Sequence, residues 1–303
     1  MIHYQHGWFQ VGYERDFGKP INAIEIGERA LMLACVEGQW CTFDAYCPHR
    51  GAHLAHGGRI EGERRMVVCP FHEYQIGLGQ CSANGFKVQE YPTMVLAGLV
   101  FVRLSEGHDF GFEAALRRLV ADHVIVPGFE LSIRAPSQLI IENGFDNRHF
   151  LAVHGTCNDP RFTVSLGAEG ELVTEGVFEI PASEWRPNSS GPKRAALAPY
   201  QLRAYSPGVT LGRLQGQFPY TLITAATPTP VDNAELRLSL ALPIAHFGST
   251  PRKELYEALL RHTQAGLEQD RAIWDHMQRG YTQRLLPGDH AVQRFQEFCA
   301  QFA

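Results

Sequence analysis

The chain has no apolar run approaching the ~20 residues that a membrane-spanning helix needs. Its start, MIHYQHGWFQ, lacks the basic-then-apolar layout of a signal peptide. No tract of Lys or Arg marks a nucleic-acid or anionic-membrane partner, and the formal charge of −5 is spread along the sequence. Repeats and low-complexity segments are missing too. Cysteine is scarce: Cys35, Cys41, Cys47, Cys69, Cys81, Cys157 and Cys299 form an odd, scattered set that makes no disulfide framework. In a reducing compartment, Cys clustered with His binds metal, and only Cys47 and Cys69 have such company. The other five read as ordinary small core or surface residues. A cytoplasmic protein is the expectation. An apolar fraction of 45%, with 11% aromatic, is enough to bury substantial cores in one large domain or two ordinary ones.

The first third reads as short strands. RALMLACVEGQWCTFDAYC has the form of a hairpin turning at Glu37–Gly38, and RMVVC and GLVFVRL add strands. Glycines at 51, 57, 58, 62, 77, 79 and 85 mark loops between them. This predicts a small all-β domain over 1–106. A polar connector over 107–126 follows, with a short helix from Phe112 to Ala121. From Pro127 the pattern changes and a second domain, 127–303, is expected. In it LSIRAPSQLII reads as strand, and 157–205 as long loops with short strands. YTLITAATPTP and AELRLSLALPI read as neighbouring strands. A helix is predicted from Thr250–Pro251, with proline suited to its first position, to about Arg279. The fold class is α+β.

Two knuckles carry the first chemistry. Cys47-x-His49 and Cys69-x-x-His72 are separated by nineteen residues. Zinc fingers pair like with like, Cys with Cys and then His with His. Here each knuckle mixes a thiolate with an imidazole. That suits a binuclear [2Fe–2S] cluster in which one iron takes Cys47 and Cys69 and the other takes His49 and His72. The neutral imidazoles raise its potential above that of an all-Cys cluster. Pro48 and Pro70 stiffen the tips; His53 and His56 fall outside the spacing and read as surface or hydrogen-bonded histidines.

ENGFDNRHFLAVH holds a second constellation: Asp146, His149 and His154, spaced Asp-x-x-His-x-x-x-x-His. Two imidazoles and one carboxylate make the facial triad of non-haem Fe(II) oxygenases, which leaves positions open for O₂. Asp146 and His149 meet on a helix. His154 lies five residues beyond His149, about 140° further round, so the helix must bulge or end first. Gly155 fits an ending. Asp146 is then best placed behind His149, its carboxylate accepting the ring N–H. The third ligand is expected far along the chain. In GLEQDRAIWDHMQRG, Asp270 shares helical spacing with Leu267, Ile273, Trp274 and Met277, where an unpaired carboxylate is expensive. Asp275 lies about 140° off that stripe and reads as solvent-facing.

CPHRGA and the knuckles resemble the Rieske domains of Rieske non-haem iron oxygenases and their ferredoxins; respiratory Rieske proteins carry an additional Cys in each loop. With GWFQVG, ENGFDNRHFLAVHG, EQDRAIW and GDHAVQRFQEFCAQF, the chain is similar, over nearly its whole length, to the branch of 3-ketosteroid 9α-hydroxylase oxygenases and cholesterol 7-desaturases. The resemblance implies a Rieske domain followed by a helix-grip (START-like) catalytic domain of antiparallel sheet and iron-bearing helices. It implies a mononuclear Fe(II) held by His149, His154 and Asp270. Asp146 would bridge His149 to His72 of an adjacent subunit in a homotrimer, and Asn143 would stand beside the open coordination position unless it serves as a helix cap. NAD(P)H electrons would arrive through a reductase, alone or with a ferredoxin. O₂ would hydroxylate a bulky, polycyclic or natural-product substrate. Arene cis-dihydroxylation, O- or N-demethylation, desaturation and oxidative cyclisation are alternatives on the same scaffold, and a Rieske electron carrier without catalysis is the remote one. Pocket residues are expected from 157–245.

Overall fold

The computed structural model describes residues 4, 6–61, 65–180, 196–216 and 218–303. The expected loop mark at Gly62 and the part of the expected loop region at 181–195 lie outside the described residues.

The hairpin forms as its sequence dictates. Arg29–Val36 and Gln39–Asp44 pair antiparallel around Glu37 and Gly38, whose φ values of 53° and 78° match the mirror-image turns that fit strand twist. These strands lie between Ile21–Ile26 and Glu90–Tyr91 in a four-stranded sheet. A second four-stranded sheet, Arg59–Ile60, Met66–Val68, Gln75–Leu78 and Lys87–Val88, supports the knuckles. Gly77, expected in a loop, is in a strand, where a Cβ would sit 2.3 Å from the Cys81 carbonyl oxygen.

The C-terminal part is built on a seven-stranded antiparallel sheet. Its order is His123–Ile133, Asn233–Pro243, Tyr220–Thr229, Val209–Leu214, Ala196–Ser206, Leu172–Ile180 and Thr163–Leu166. Among the described residues six α-helices accompany it: α1 (Phe112–Asp122), α2 (Ser137–Glu142), α3 (Asn147–Ala152), α4 (Ile244–Phe247), α5 (Lys253–Trp274) and α6 (His290–Cys299). The main core joins α2 and α6 to the sheet, with the Phe145 and Phe295 rings stacked at 4.6 Å. Truncating either ring to Ala would cost about 3–5 kcal/mol.

The two parts share one core. Strand Trp8–Tyr13 is buried at every position because it is covered on both faces. Trp8 and Phe101 pack with Phe112 of α1 and with Tyr205 and Ile223 of the large sheet. Arg237 Nη1 and Thr227 Oγ1 donate to the Gln10 carbonyl at 2.9 and 2.6 Å, and Ser206 Oγ donates to that of Trp8 at 2.7 Å. Buried carbonyls on Trp8–Tyr13 thus find partners across the joint.

Several sequence expectations change. LSIRAPSQLII is strand only to Ile133; Pro136 sets the entry to α2, and SQLIIE is helical. Ala196–Ser206 is a strand of eleven residues, held by neighbours on both sides despite its proline. The long helix begins at Lys253, after Pro251, and stops at Trp274. Asp275 is half-buried, accepting from the Arg134 N–H at 2.8 Å, so the helix end is tied to the strand preceding α2. Met277 lies past the helix end, and Ile273, though helical, faces outward; they are 46% and 50% exposed. The connector 107–126 contains the expected short helix. It holds α1 and the first residues of the large sheet.

Candidate metal centres and substrate cavity

The two knuckles share one backbone pattern. The Cys47 N–H donates to the Ala52 carbonyl (2.8 Å) and the Gly51 N–H returns to the Cys47 carbonyl (2.9 Å). Likewise the Cys69 N–H donates to Tyr74 (2.9 Å) and the Glu73 N–H to Cys69 (3.0 Å). Both fifth residues take positive φ, 72° at Gly51 and 56° at Glu73, the second without glycine's freedom. The loops lie against each other, since a Cβ on Gly57 would meet Pro70 at 3.2 Å; within the first loop, one on Gly58 would strike the Leu54 carbonyl oxygen at 2.2 Å.

Cys47 and Cys69 are buried, while the His49 and His72 rings stand at the surface side with centroids 4.9 Å apart at 70°. Burial, with Cys69 beside it, pushes the Cys47 thiol up. Nδ1 of His72 is buried without a hydrogen-bond partner among the described residues. A metal at that nitrogen would satisfy it, so these four residues fit a cluster that takes two thiolates on one side and two imidazoles on the other. Exposed Tyr46, Phe71 and Tyr74 rim the tip, and the Arg50 guanidinium lies 5.5 Å from the Phe71 centroid. His53 and His56 stay outside: the Ala55 N–H donates to His53 Nδ1 at 3.2 Å. Of the remaining cysteines, Cys299 is buried, Cys157 exposed and the others intermediate.

The second constellation is assembled from two helices far apart in sequence. Asp146 caps α3, its Oδ1 accepting from the N–H groups of Arg148 (3.0 Å) and His149 (3.3 Å). α3 ends at Ala152, before His154, and Gly155 turns away with φ 66°. The contact that orients His149 differs from the expected one. Its ring Nδ1–H donates to the Asp146 backbone carbonyl, because the carboxylate is occupied as the cap. Across from it α5 brings Asp270, 5% exposed, with Oδ2 3.2 Å from His154 Nε2. One donor atom each from His149, His154 and Asp270 lies within 4.8 Å of the others, a spacing suited to a single ion. Burial, with His154 alongside, pushes His149 below the usual imidazole range, against the Asp146 carbonyl and Asp270. The neutral, ligating form is favoured.

A cavity of about 410 Å³ opens on these three residues. α2 and the residues after it contribute Ile141 and Asn143, the sheet contributes Phe178, Tyr200 and Leu222, and α5 contributes Thr263. Asn143 follows α2 directly, opens a short 3-10 turn over Asn143–Phe145 and lines this space. No Lys or Arg lines the cavity among the described residues. Burial pushes the Tyr220 hydroxyl up to about 12 and the Tyr200 hydroxyl higher, so both stay neutral donors. Sequence spacing carried no sign of these tyrosines. Nor did it single out Gln269, whose Oε1 lies 3.1 Å from His154 Nδ1; its one available signal was adjacency to Asp270.

The Rieske [2Fe–2S] domain family matches residues 7–94, and the 3-ketosteroid 9α-hydroxylase C-terminal domain family matches residues 116–302, more than half of the chain. The chain belongs to the Rieske oxygenases. Among its relatives this Rieske oxygenase is 23% identical to a probable 3-ketosteroid-9-alpha-monooxygenase oxygenase component of Rhodococcus rhodochrous, over 99% of this chain and 80% of the relative. It is 24% identical to the corresponding component of Mycolicibacterium smegmatis, over 99% and 82%. A cholesterol 7-desaturase of Bombyx mori is 28% identical over half of this chain and 36% of its own length. Among solved structures, dicamba monooxygenase bound to 3,6-dichlorosalicylic acid superposes with TM-score 0.75 at 16% identity, covering 100% of this chain and 98% of that one. That likeness concerns the fold. The oxygenase components are named monooxygenases, and this Rieske oxygenase is an enzyme of their type.

Proposed function

We propose that the protein is the terminal oxygenase of a multicomponent system and mono-oxygenates a bulky, neutral, mostly apolar substrate. The observation that carries this reading is the cavity of about 410 Å³ with His149, His154 and Asp270 on its wall. Its size falls in the usual small-molecule range of about 300–1,000 Å³. Its described lining is mostly apolar, and Thr, Tyr and Asn143 side chains offer neutral hydrogen bonds. The 3-ketosteroid and cholesterol names of the relatives point to the same fused-ring class.

In this reading Cys47, His49, Cys69 and His72 hold the [2Fe–2S] cluster, and His149, His154 and Asp270 hold a mononuclear Fe(II). The iron supplies O₂ activation; the protein supplies orientation and exclusion of water. α2 and the sheet hold the substrate against the triad, and Asn143 contacts whatever occupies the space in front of it. Asp146 keeps Oδ1 on the α3 cap and presents its carboxylate to His72 of a neighbouring subunit, most simply in a homotrimer. A reductase, alone or with a ferredoxin, delivers electrons from NAD(P)H to the cluster in the cytoplasm. Desaturation at the same centre is the second reading, resting on the cholesterol 7-desaturase relationship.

Iron and sulfide counting tests the site. Three irons and two sulfides per chain are expected from one [2Fe–2S] cluster plus one mononuclear site, with one iron lost in His149→Ala. Two irons in the wild type would make the protein a carrier. Incubation with a surrogate reductase and fused-ring ketones under ¹⁸O₂ then tests the chemistry: labelled hydroxyl supports mono-oxygenation, and an unlabelled alkene favours desaturation.

A further inference from the structure

We propose that Gln269 is the positioning residue of the mononuclear site, fixing which nitrogen of His154 is free to bind metal. The inference rests on the iron reading above and adds a residue to it.

α5 presents Gly266, Gln269 and Asp270 at positions i, i+3 and i+4, which share one helix face. All three meet His154. At Gly266 the helix backbone passes close to the ring, since a Cβ there would sit 3.8 Å from both Cε1 and Nδ1. Gln269 Oε1 lies 3.1 Å from Nδ1, and Asp270 Oδ2 lies 3.2 Å from Nε2. Adjacent residues of one helix therefore address opposite nitrogens of one imidazole.

The chemistry follows from what an amide oxygen can do. It accepts and does not donate, so the Nδ1 facing it carries the proton. Asp270 Oδ2 offers Nε2 an acceptor as well; with a metal ion bound between Nε2, Asp270 and His149, the single proton of the neutral imidazole sits on Nδ1, where Gln269 accepts it. Without the acceptor the ring loses the side-chain partner that holds its proton on Nδ1. His149 receives the same treatment, its Nδ1–H donating to the Asp146 carbonyl. The two ligand imidazoles are thus held alike, one by main chain and one by a side chain. Only the side-chain acceptor can be removed by mutation.

The test uses holoprotein stripped of mononuclear iron by mild chelation, with the Rieske cluster retained and verified by its visible spectrum. Fe(II) affinity is measured by anaerobic equilibrium dialysis. Gln269 is exposed, so its replacement leaves the core intact. Gln269→Leu, close in size but without an acceptor, is expected to weaken Fe(II) binding roughly 10–100-fold. Gln269→Glu keeps an oxygen facing Nδ1 and is expected to retain most of the affinity. A merely structural role would not separate these two variants. Equal affinity of Gln269→Leu and wild type overturns the inference while the iron reading stands; so does an equal loss in both variants. Wild-type protein that takes up no third iron overturns the reading and the inference together.

Discussion

Nε2 of His154, on the turn after α3, lies 3.2 Å from Oδ2 of Asp270, deep in α5. The contact joins the two helices on which the proposed iron site depends. Asp270 is 5% exposed, and a buried carboxylate is costly unless it is paired or bound to metal. Asp270→Asn should therefore remove the third iron and abolish turnover, yet leave sulfide content and the cluster spectrum unchanged. Metal analysis showing all iron retained would remove Asp270 from the ligand set.

Asp146 has two roles that mutation can separate. As the α3 cap it is replaceable by Asn, whereas Ala costs about 1 kcal/mol. As a bridge to a neighbouring His72 it needs its carboxylate. Asp146→Asn should melt like wild type and keep both metals, but lose turnover driven by the reductase. Undiminished turnover would leave the residue as a cap alone.

The matched knuckles carry an asymmetry. Glu73 has φ 56° where its counterpart Gly51 has φ 72°. Left-handed backbone costs a non-glycine residue roughly 1 kcal/mol. Glu73→Gly should raise the unfolding temperature with the cluster retained, and Gly51→Val should lower cluster occupancy on purification. A Glu73→Gly protein that melts no higher than wild type would show that the second loop is unstrained.

Glu142 gives the clearest pH signature. Burial raises its carboxyl; the Gln296 and Gln283 amides at 2.8 and 3.2 Å oppose this, and Asp146 and Asp289 add to it. A folded-state pKa above the unfolded one means the contribution to stability is full below the ordinary carboxylate range. It is lost as pH rises through the raised folded value. Glu142→Gln should therefore gain on wild type in thermal melts as pH increases across that window. A difference between the two proteins that stays constant with pH would refute the assignment.

Legibility followed distance along the chain. The hairpin at Glu37–Gly38, the neighbouring strands Tyr220–Thr229 and Asn233–Pro243, and the end of α3 before His154 are local patterns, and the sequence displays them. SQLIIE was ambiguous because a short apolar run fits strand and helix alike. Met277 misled because the helical period continues in the sequence past Trp274, where the helix ends; Ile273 is within the helix and nonetheless half exposed.

The sequence by itself pointed to the cluster loops and to His149 and His154, since each set of donors lies within a short stretch whose spacing encodes its geometry. It also singled out Asp270 through the cost of burying a lone carboxylate. Tertiary structure alone decided which oxygen orients His149, that Gln269 stands behind His154, and that Phe178, Tyr200 and Leu222 of the sheet line the cavity. Those relations arise where the sheet brings α2, α3 and α5 together. No local pattern of residues encodes a contact between segments that only a closed core makes neighbours.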